Sequence, residues 1–91
     1  MTGRAGPILL RGAVSEAVVA AIRDENPNVL VEERGSYLRV SCPEACRVSR
    51  TAIEARLGAE FALPSALELL MPSFQGKLEL SQTEIVWRCR A

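Results

Sequence analysis

The chain has 91 residues, 48% of them hydrophobic, and its 11 basic residues balance 11 acidic ones. This length predicts one domain, and the hydrophobic content argues against intrinsic disorder. Zero net charge without a basic block disfavours nucleic acid or an anionic membrane as a partner, and the sequence contains no histidine, the commonest general base and metal ligand.

The N-terminal quarter predicts a tail, a strand and a helix. Residues 1–6 are small and polar and predict a flexible N-terminal tail, which leaves residues 7–91 as a single domain. Pro7–Arg11 is a short strand candidate. From Val14 to Glu25, before Asn26-Pro27, apolar residues recur at helical spacing. The predicted buried stripe of this helix consists of Val14, Val18, Ala21 and Ile22.

The middle of the chain predicts a β-hairpin followed by a helix. Residues 28–33 and 37–42 alternate in polarity around a tight connection that contains Gly35. A brief further strand is predicted over residues 46–48. A second helix then begins at Ser49, or at Thr51 with a capping-box partner, and ends before Gly58.

The C-terminal third predicts a short helix and two strands. Pro64 suits the first turn of the helix, which Leu67 and Leu70 or Met71 pack down. Strands are predicted over residues 71–80 and 83–89. The resulting order is β-α-β-β-α-α-β-β, an α+β domain with antiparallel hairpins and helices packed on the sheet.

The strand predicted over residues 71–80 is irregular. Leu78 and Leu80 are expected to point inward. Pro72 removes a donor from the strand ladder, and Gly76 is typical of a bulge or of the close approach of another surface.

The three cysteines, Cys42, Cys46 and Cys89, do not form a recognisable disulfide framework or metal set. We expect reduced, mostly buried thiols, with a thiolate enzyme as the rival interpretation. The first apolar run is too short for a signal peptide, and no segment reaches the length of a bilayer span, so we expect a cytoplasmic protein.

The carboxylates fall on solvated faces, and no phosphate loop, nucleophile motif or metal set accompanies them. We therefore expect no catalytic residues and no cofactor. The pattern predicts a compact binding module that acts through its surface.

Several short segments, in this order and spacing, resemble one family. They are Gly6-Pro7-Ile8, Asn26-Pro27, residues 34–40, residues 49–61 with Gly58 and Phe61, residues 71–78, and a final strand with Ile85 and Trp87. The chain resembles the small effector proteins, also called coupling or regulatory proteins, of soluble bacterial multicomponent di-iron monooxygenases. The similarity is to the toluene/alkene/phenol hydroxylase type of the MmoB/DmpM family.

The resemblance implies a non-catalytic component that docks on the hydroxylase over the helices shielding its di-iron centre. Docking would alter access to that centre and couple electron consumption to the oxidation of a hydrocarbon or aromatic substrate. The resemblance also implies competition with the electron-transfer component, and we expect a monomer when the protein is free. The alternative is an unrelated small α+β interaction domain without an oxygenase partner.

The resemblance and the irregular strand together predict a partner interface. Its residues are Ser73, Phe74, Gln75, Gly76, Glu68, Met71, Asn26 and Asn28. For Phe74 and Gly76, packing in the core is an equal alternative, and for the two asparagines turn chemistry is the simpler explanation. A Gly76→Glu change is expected to leave the protein soluble and helical and to abolish stimulation of the hydroxylase.

Overall fold

Seven strands and three helices make up residues 3–90, the part of the chain that the computed structural model describes. The elements run in the order β1 (Arg4–Leu10), α1 (Ala13–Glu25), β2 (Leu30–Arg34), β3 (Tyr37–Pro43), β4 (Ala45–Ser49), α2 (Arg50–Leu57), α3 (Ser65–Glu68), β5 (Ser73–Gln75), β6 (Lys77–Leu80) and β7 (Glu84–Arg88). The predicted α+β class is confirmed.

The strands form two antiparallel sheets. One sheet has four strands in the order β2-β3-β1-β5, and the other has three in the order β4-β7-β6. β1 therefore lies between β3 and β5, and the β2–β3 hairpin is the one that the sequence predicts. Residues 4–6, which the sequence predicts as part of a flexible tail, belong to β1; residues 1 and 2 lie outside the described part.

The chain passes from one sheet to the other at two corners. Glu44, with φ 66°, separates β3 from β4, and Gly76, with φ 104°, separates β5 from β6. Hydrogen bonds hold the first corner: the Glu44 N–H donates to the Gly3 carbonyl at 3.0 Å, and the Cys89 N–H donates to the Glu44 carbonyl at 2.7 Å. Strands that switch sheets at such bends join the two sheets into one domain.

The second corner corrects the prediction of one strand over residues 71–80. Its first half pairs with β1, and its second half pairs with β7 in the other sheet. A Cβ on Gly76 would lie 2.6 Å from the Arg88 carbonyl oxygen and 2.9 Å from the Ala5 Cβ. The surface that approaches Gly76 therefore belongs to the protein itself. A glutamate there would displace the β7 backbone, which contradicts the expectation that Gly76→Glu leaves the fold unperturbed, soluble and helical.

One hydrophobic core joins both sheets and the helices. It contains Leu9, Ile22, Ile53, Leu67 and Trp87, each with no exposed surface. The burial of such large apolar side chains is the main source of the stability of a domain of this size.

Two side chains depart from the predicted inward pattern. Val14 is 37% exposed, and Ser15 is buried in its place, with its hydroxyl donating to the Leu10 carbonyl. Ser15 therefore faces the end of β1, and Val14 lies on the exposed side of α1. Leu80 is 44% exposed at the end of β6, whereas Leu78 packs against the core.

The predicted boundaries of α2 are confirmed. Ser49 is the N-cap, its hydroxyl accepting from the Ala52 N–H at 3.1 Å, and Gly58 follows the helix in the left-handed conformation at φ 75°. Glu54 does not cap Thr51; its carboxylate accepts instead from the Phe61 N–H at 2.8 Å. Among residues 3–90, no helix is long and apolar enough to cross a bilayer.

Candidate partner interface

The outer face of the four-stranded sheet, the face turned away from the core, carries several rows of side chains, two of which adjoin a concavity. Directly paired residues of antiparallel strands share a face. The first row contains Glu32, Arg39, Ile8 and Ser73, and the second contains Arg34, Tyr37 and Leu10. We call this surface the outer sheet face.

The two rows enclose a concavity of about 470 Å³. Its lining residues are Ile8, Arg34, Tyr37, Arg39, Pro72 and Ser73. Pro72 and Ser73 bring the predicted interface segment to the rim, and Tyr37 and Leu10 expose 41% and 39% of their surface on the same face. The outer sheet face thus combines apolar contact area with polar side chains, as protein interfaces do.

Two side-chain hydrogen bonds orient the arginines of this face. Arg39 Nη2 donates to Gln75 Oε1 at 3.0 Å, and so reaches from β3 across β1 to β5. Arg34 Nη2 donates to Glu32 Oε2 at 2.9 Å. Holding a long side chain in place before binding lowers the entropy that binding must remove.

The residues of the predicted segment 73–76 do not all lie on the same surface. Ser73 and Gln75 lie on the outer sheet face, opposite Ile8 and Gly6. Phe74 pairs with the buried Pro7 and so points to the other face, at the sheet edge, where it is 39% exposed. Gly76 forms the corner between the sheets.

The other predicted residues lie apart from one another. Met71 is 9% exposed and belongs to the core, so it contributes to packing rather than to a free surface. Glu68 is exposed at the end of α3. Asn26 and Asn28 precede β2, which is the edge of the four-stranded sheet opposite β5.

Both asparagines make local structural contacts. The Asn26 side-chain amide donates to the carbonyls of Ile22 at 2.7 Å and Arg47 at 2.6 Å, and its oxygen accepts from the Arg47 N–H at 3.0 Å. It therefore fastens the end of α1 to β4. Asn28 adopts φ 56°, a conformation that asparagine tolerates in turns. A role for either residue in partner binding stays a prediction.

Sequence reasoning did not select Ile8, Arg34, Tyr37 and Arg39 as interface residues. The signal was present, since the alternation in residues 37–42 places Tyr37 and Arg39 on the side opposite the apolar residues. What the sequence does not indicate is that β1 lies beside β3 and brings residues 72–73 to the same face.

The placement of the three thiols indicates a role in packing rather than in catalysis or metal binding. Cys42 and Cys46 are buried, Cys89 is half-buried, and all three are free. The hydrogen bond between Cys42 and Cys46 lowers the pKa of Cys42, whereas the same bond and burial raise the pKa of Cys46. Both side chains are buried in the core, which keeps reagents away from them. Within residues 3–90, no group of three or more potential ligand side chains is placed to hold a metal ion.

The outer sheet face is an uncovered surface of the kind that protein partners bind. Residues 4–88 match the model of the MmoB/DmpM family. The chain is 39% identical over 84 residues to the effector subunit of the alkene monooxygenase system of Xanthobacter autotrophicus (strain ATCC BAA-1158 / Py2), covering 90% of this chain and 82% of that protein.

The fold has also been seen in a solved structure. A chain of a phenol hydroxylase–regulatory protein complex superposes with a TM-score of 0.86 at 12% identity, over 97% of this chain and 100% of that one. At this identity the likeness concerns the fold alone.

The protein belongs to the MmoB/DmpM family, as the resemblance predicts. Its interpretation as a regulatory rather than a catalytic component of a monooxygenase is confirmed, and the alternative of an unrelated interaction domain is not favoured.

Proposed function

We propose that this protein docks on the di-iron hydroxylase component of a soluble monooxygenase and favours one conformation of it. Binding one conformation more tightly than another shifts the population, and this shift would alter access of dioxygen, substrate and protons to the active site. The result is tighter coupling of electron consumption to hydrocarbon or aromatic oxidation. A coupling free energy of about 1–3 kcal/mol is typical of such linkage.

The proposal rests on one observation: a member of this family has apolar side chains exposed on its outer sheet face. Its apolar side chains, Ile8, Leu10 and Tyr37, are not covered by the helices of the domain, since Leu10 and Tyr37 remain 39% and 41% exposed. Tyrosine and arginine are enriched among the residues that contribute most to binding at protein interfaces. This face therefore offers what a docking surface needs.

The direct test is an assay of the reconstituted system. Candidate hydroxylases would be supplied with their electron-transfer partners, and the product formed per electron consumed would be measured with and without this protein. We expect the protein to raise the rate, the coupling, or both. No change in either quantity with any hydroxylase would refute the proposed function.

A bulky substitution tests which face docks. Ser73→Trp adds a large side chain to the rim of the outer sheet face, at an exposed position. Gln82→Trp adds the same side chain to the exposed β6–β7 turn. We expect the first variant to lose stimulation and the second to keep it, with both melting near the wild type. Equal stimulation by the two variants would place docking elsewhere.

Three finer expectations belong to the same proposal. The protein would compete with the electron-transfer component for a shared hydroxylase surface, which a titration of one against the other would detect. It would be a monomer when free, as sedimentation can test. It would act in the cytoplasm, where its three free thiols remain reduced.

A further inference from the structure

The concavity of the outer sheet face is lined by hydrogen-bond donors, and its charged groups are all positive. Arg34 and Arg39 contribute guanidinium groups, Tyr37 and Ser73 contribute hydroxyl groups, and none of the residues from 3 to 90 that line the concavity carries a carboxylate. The whole chain, by contrast, has a formal net charge of zero. The lining therefore differs in electrostatic character from the protein as a whole.

The carboxylate of Glu32 offsets only part of the positive charge of Arg34 and Arg39. Glu32 stands opposite Arg39 in the sheet and accepts from Arg34 at 2.9 Å, so one carboxylate faces two guanidinium groups. Arg39 donates to the neutral amide of Gln75, which adds no opposing charge. The other N–H groups of the Arg39 guanidinium can bind a carboxylate through two parallel hydrogen bonds, the geometry that arginine favours.

Apolar surface adjoins this charge. Ile8 lies between Arg39 and Ser73 in the same row, and Leu10 and Tyr37 form the neighbouring row. An arginine beside a tyrosine and aliphatic side chains becomes partly desolvated when a partner covers it, which strengthens a charged hydrogen bond. A protein side chain with both a carboxylate and an apolar stem suits this arrangement.

We propose that the concavity binds an aspartate or glutamate side chain presented by the hydroxylase, with Arg39 as the principal partner and Arg34 as the second. The inference rests on the proposed function, because the hydroxylase supplies the carboxylate. Gln75 acts as a positioning residue for Arg39. In the predicted interface segment 73–76, Gln75 would then contribute to binding by orienting Arg39. Gly76 would not need to contact the partner.

The test compares charge-removing variants of equal size. Arg39→Gln, Arg34→Gln and the double variant remove charge from the concavity. Arg23→Gln removes the same charge from the exposed last turn of α1 and serves as the control. Dissociation constants for the hydroxylase that the wild type stimulates would be measured by calorimetry from roughly 20 to 500 mM salt, over which screening becomes strong.

We expect Arg39→Gln to weaken binding about tenfold or more at low salt, the double variant to weaken it further, and Arg23→Gln to change it less than about twofold. The salt dependence should also become shallower in the concavity variants, because less charge is left to screen. Gln75→Ala should give part of the Arg39→Gln loss.

The outcomes distinguish a failure of the proposed function from a failure of the carboxylate-binding site. If the wild type neither binds nor stimulates any hydroxylase, the proposed function fails. If the wild type stimulates but both arginine variants and the double variant bind like Arg23→Gln, the concavity is not the site. Loss of affinity that is equal at all salt concentrations would overturn the carboxylate assignment. Melting curves verify that each variant is folded.

Discussion

Gly76→Ala should destabilise the protein strongly, although it adds a single methyl group. Gly76 has φ 104°, where residues with a Cβ are strained. The new methyl carbon would lie 2.6 Å from the Arg88 carbonyl oxygen, which belongs to the backbone of β7 and cannot rotate away. Relief of this contact requires the corner between β5 and β6 to move.

The magnitude follows from three contributions. A strained backbone conformation costs about 1–3 kcal/mol, and an extra methyl group in a tightly packed site costs about 1–3 kcal/mol more. Replacing glycine also restricts the unfolded chain, which offsets about 0.4–1 kcal/mol. The net loss is about 3 kcal/mol, which for a domain of this size lowers the melting temperature by roughly 12–24 °C.

Two other glycines separate these contributions. Gly35 has φ 62° with no atom within 4 Å of a Cβ, so Gly35→Ala should cost the backbone strain less the same unfolded-state offset, about 1 kcal/mol. Gly12, the N-cap of α1, has an extended φ of 160° and equally open surroundings, so Gly12→Ala should change the free energy of unfolding by less than about 1 kcal/mol.

Thermal and urea unfolding, followed by circular dichroism, would give the free energy of unfolding of all three variants. We expect stability to fall in the order Gly12→Ala, Gly35→Ala, Gly76→Ala. If Gly76→Ala were no less stable than Gly35→Ala, the contact with β7 would contribute nothing and the account of the corner would be wrong.

Three further predictions concern other parts of the fold. Asn26→Ala removes two hydrogen bonds from the end of α1 to β4 and one to the Ile22 carbonyl within α1, and should lower the free energy of unfolding by about 2–3 kcal/mol, as urea denaturation would measure. Glu54→Gln should flatten the pH dependence of stability on the acid side. The Glu54 pKa is lowered from its usual 4.5 by the Phe61 N–H and by Arg50, so its contribution is present above that value and is lost as the pH falls through the folded-state pKa. In a thiol-reagent assay of the native protein, the half-buried Cys89 should react first, and Cys42 and Cys46 should react only on unfolding.

Each of these predictions has a contrary outcome. An Asn26→Ala variant as stable as the wild type would show that its hydrogen bonds are replaced by bonds to water. Parallel pH profiles for Glu54→Gln and the wild type would show that other carboxylates govern acid unfolding. Rapid reaction of all three thiols in the native state would contradict the buried placement of Cys42 and Cys46.

Local signals in the sequence were sufficient for most elements. The helical spacing of apolar residues indicated α1, the Ser49 cap and Gly58 bounded α2, and the Gly35 turn between alternating segments indicated the β2–β3 hairpin. These features depend on residues within a few positions of one another, where side-chain periodicity and capping chemistry act directly. The resemblance to the effector family rested on the order of such segments.

The same reasoning failed where distant strands decide the outcome. Residues 71–80 read as one strand because their alternation is local, but β5 pairs with β1 and β6 pairs with β7. The sequence marked Gly76 as a place of close approach without indicating what approaches. Only the packing of two sheets against each other identifies the Arg88 backbone and Ala5 as the neighbours.

The sequence by itself therefore determined the class of the protein: a neutral, histidine-free α+β binding domain with an irregular segment near its C-terminus. The tertiary structure decided which side chains share a surface. It placed Ser73 on the same sheet face as Arg39, brought Gln75 into a hydrogen bond with Arg39, turned Phe74 to the other face and buried Met71. The reason is physical: a strand's own pattern indicates which residues lie on the same side, but its neighbours in the sheet are set by long-range pairing and the burial of a common core.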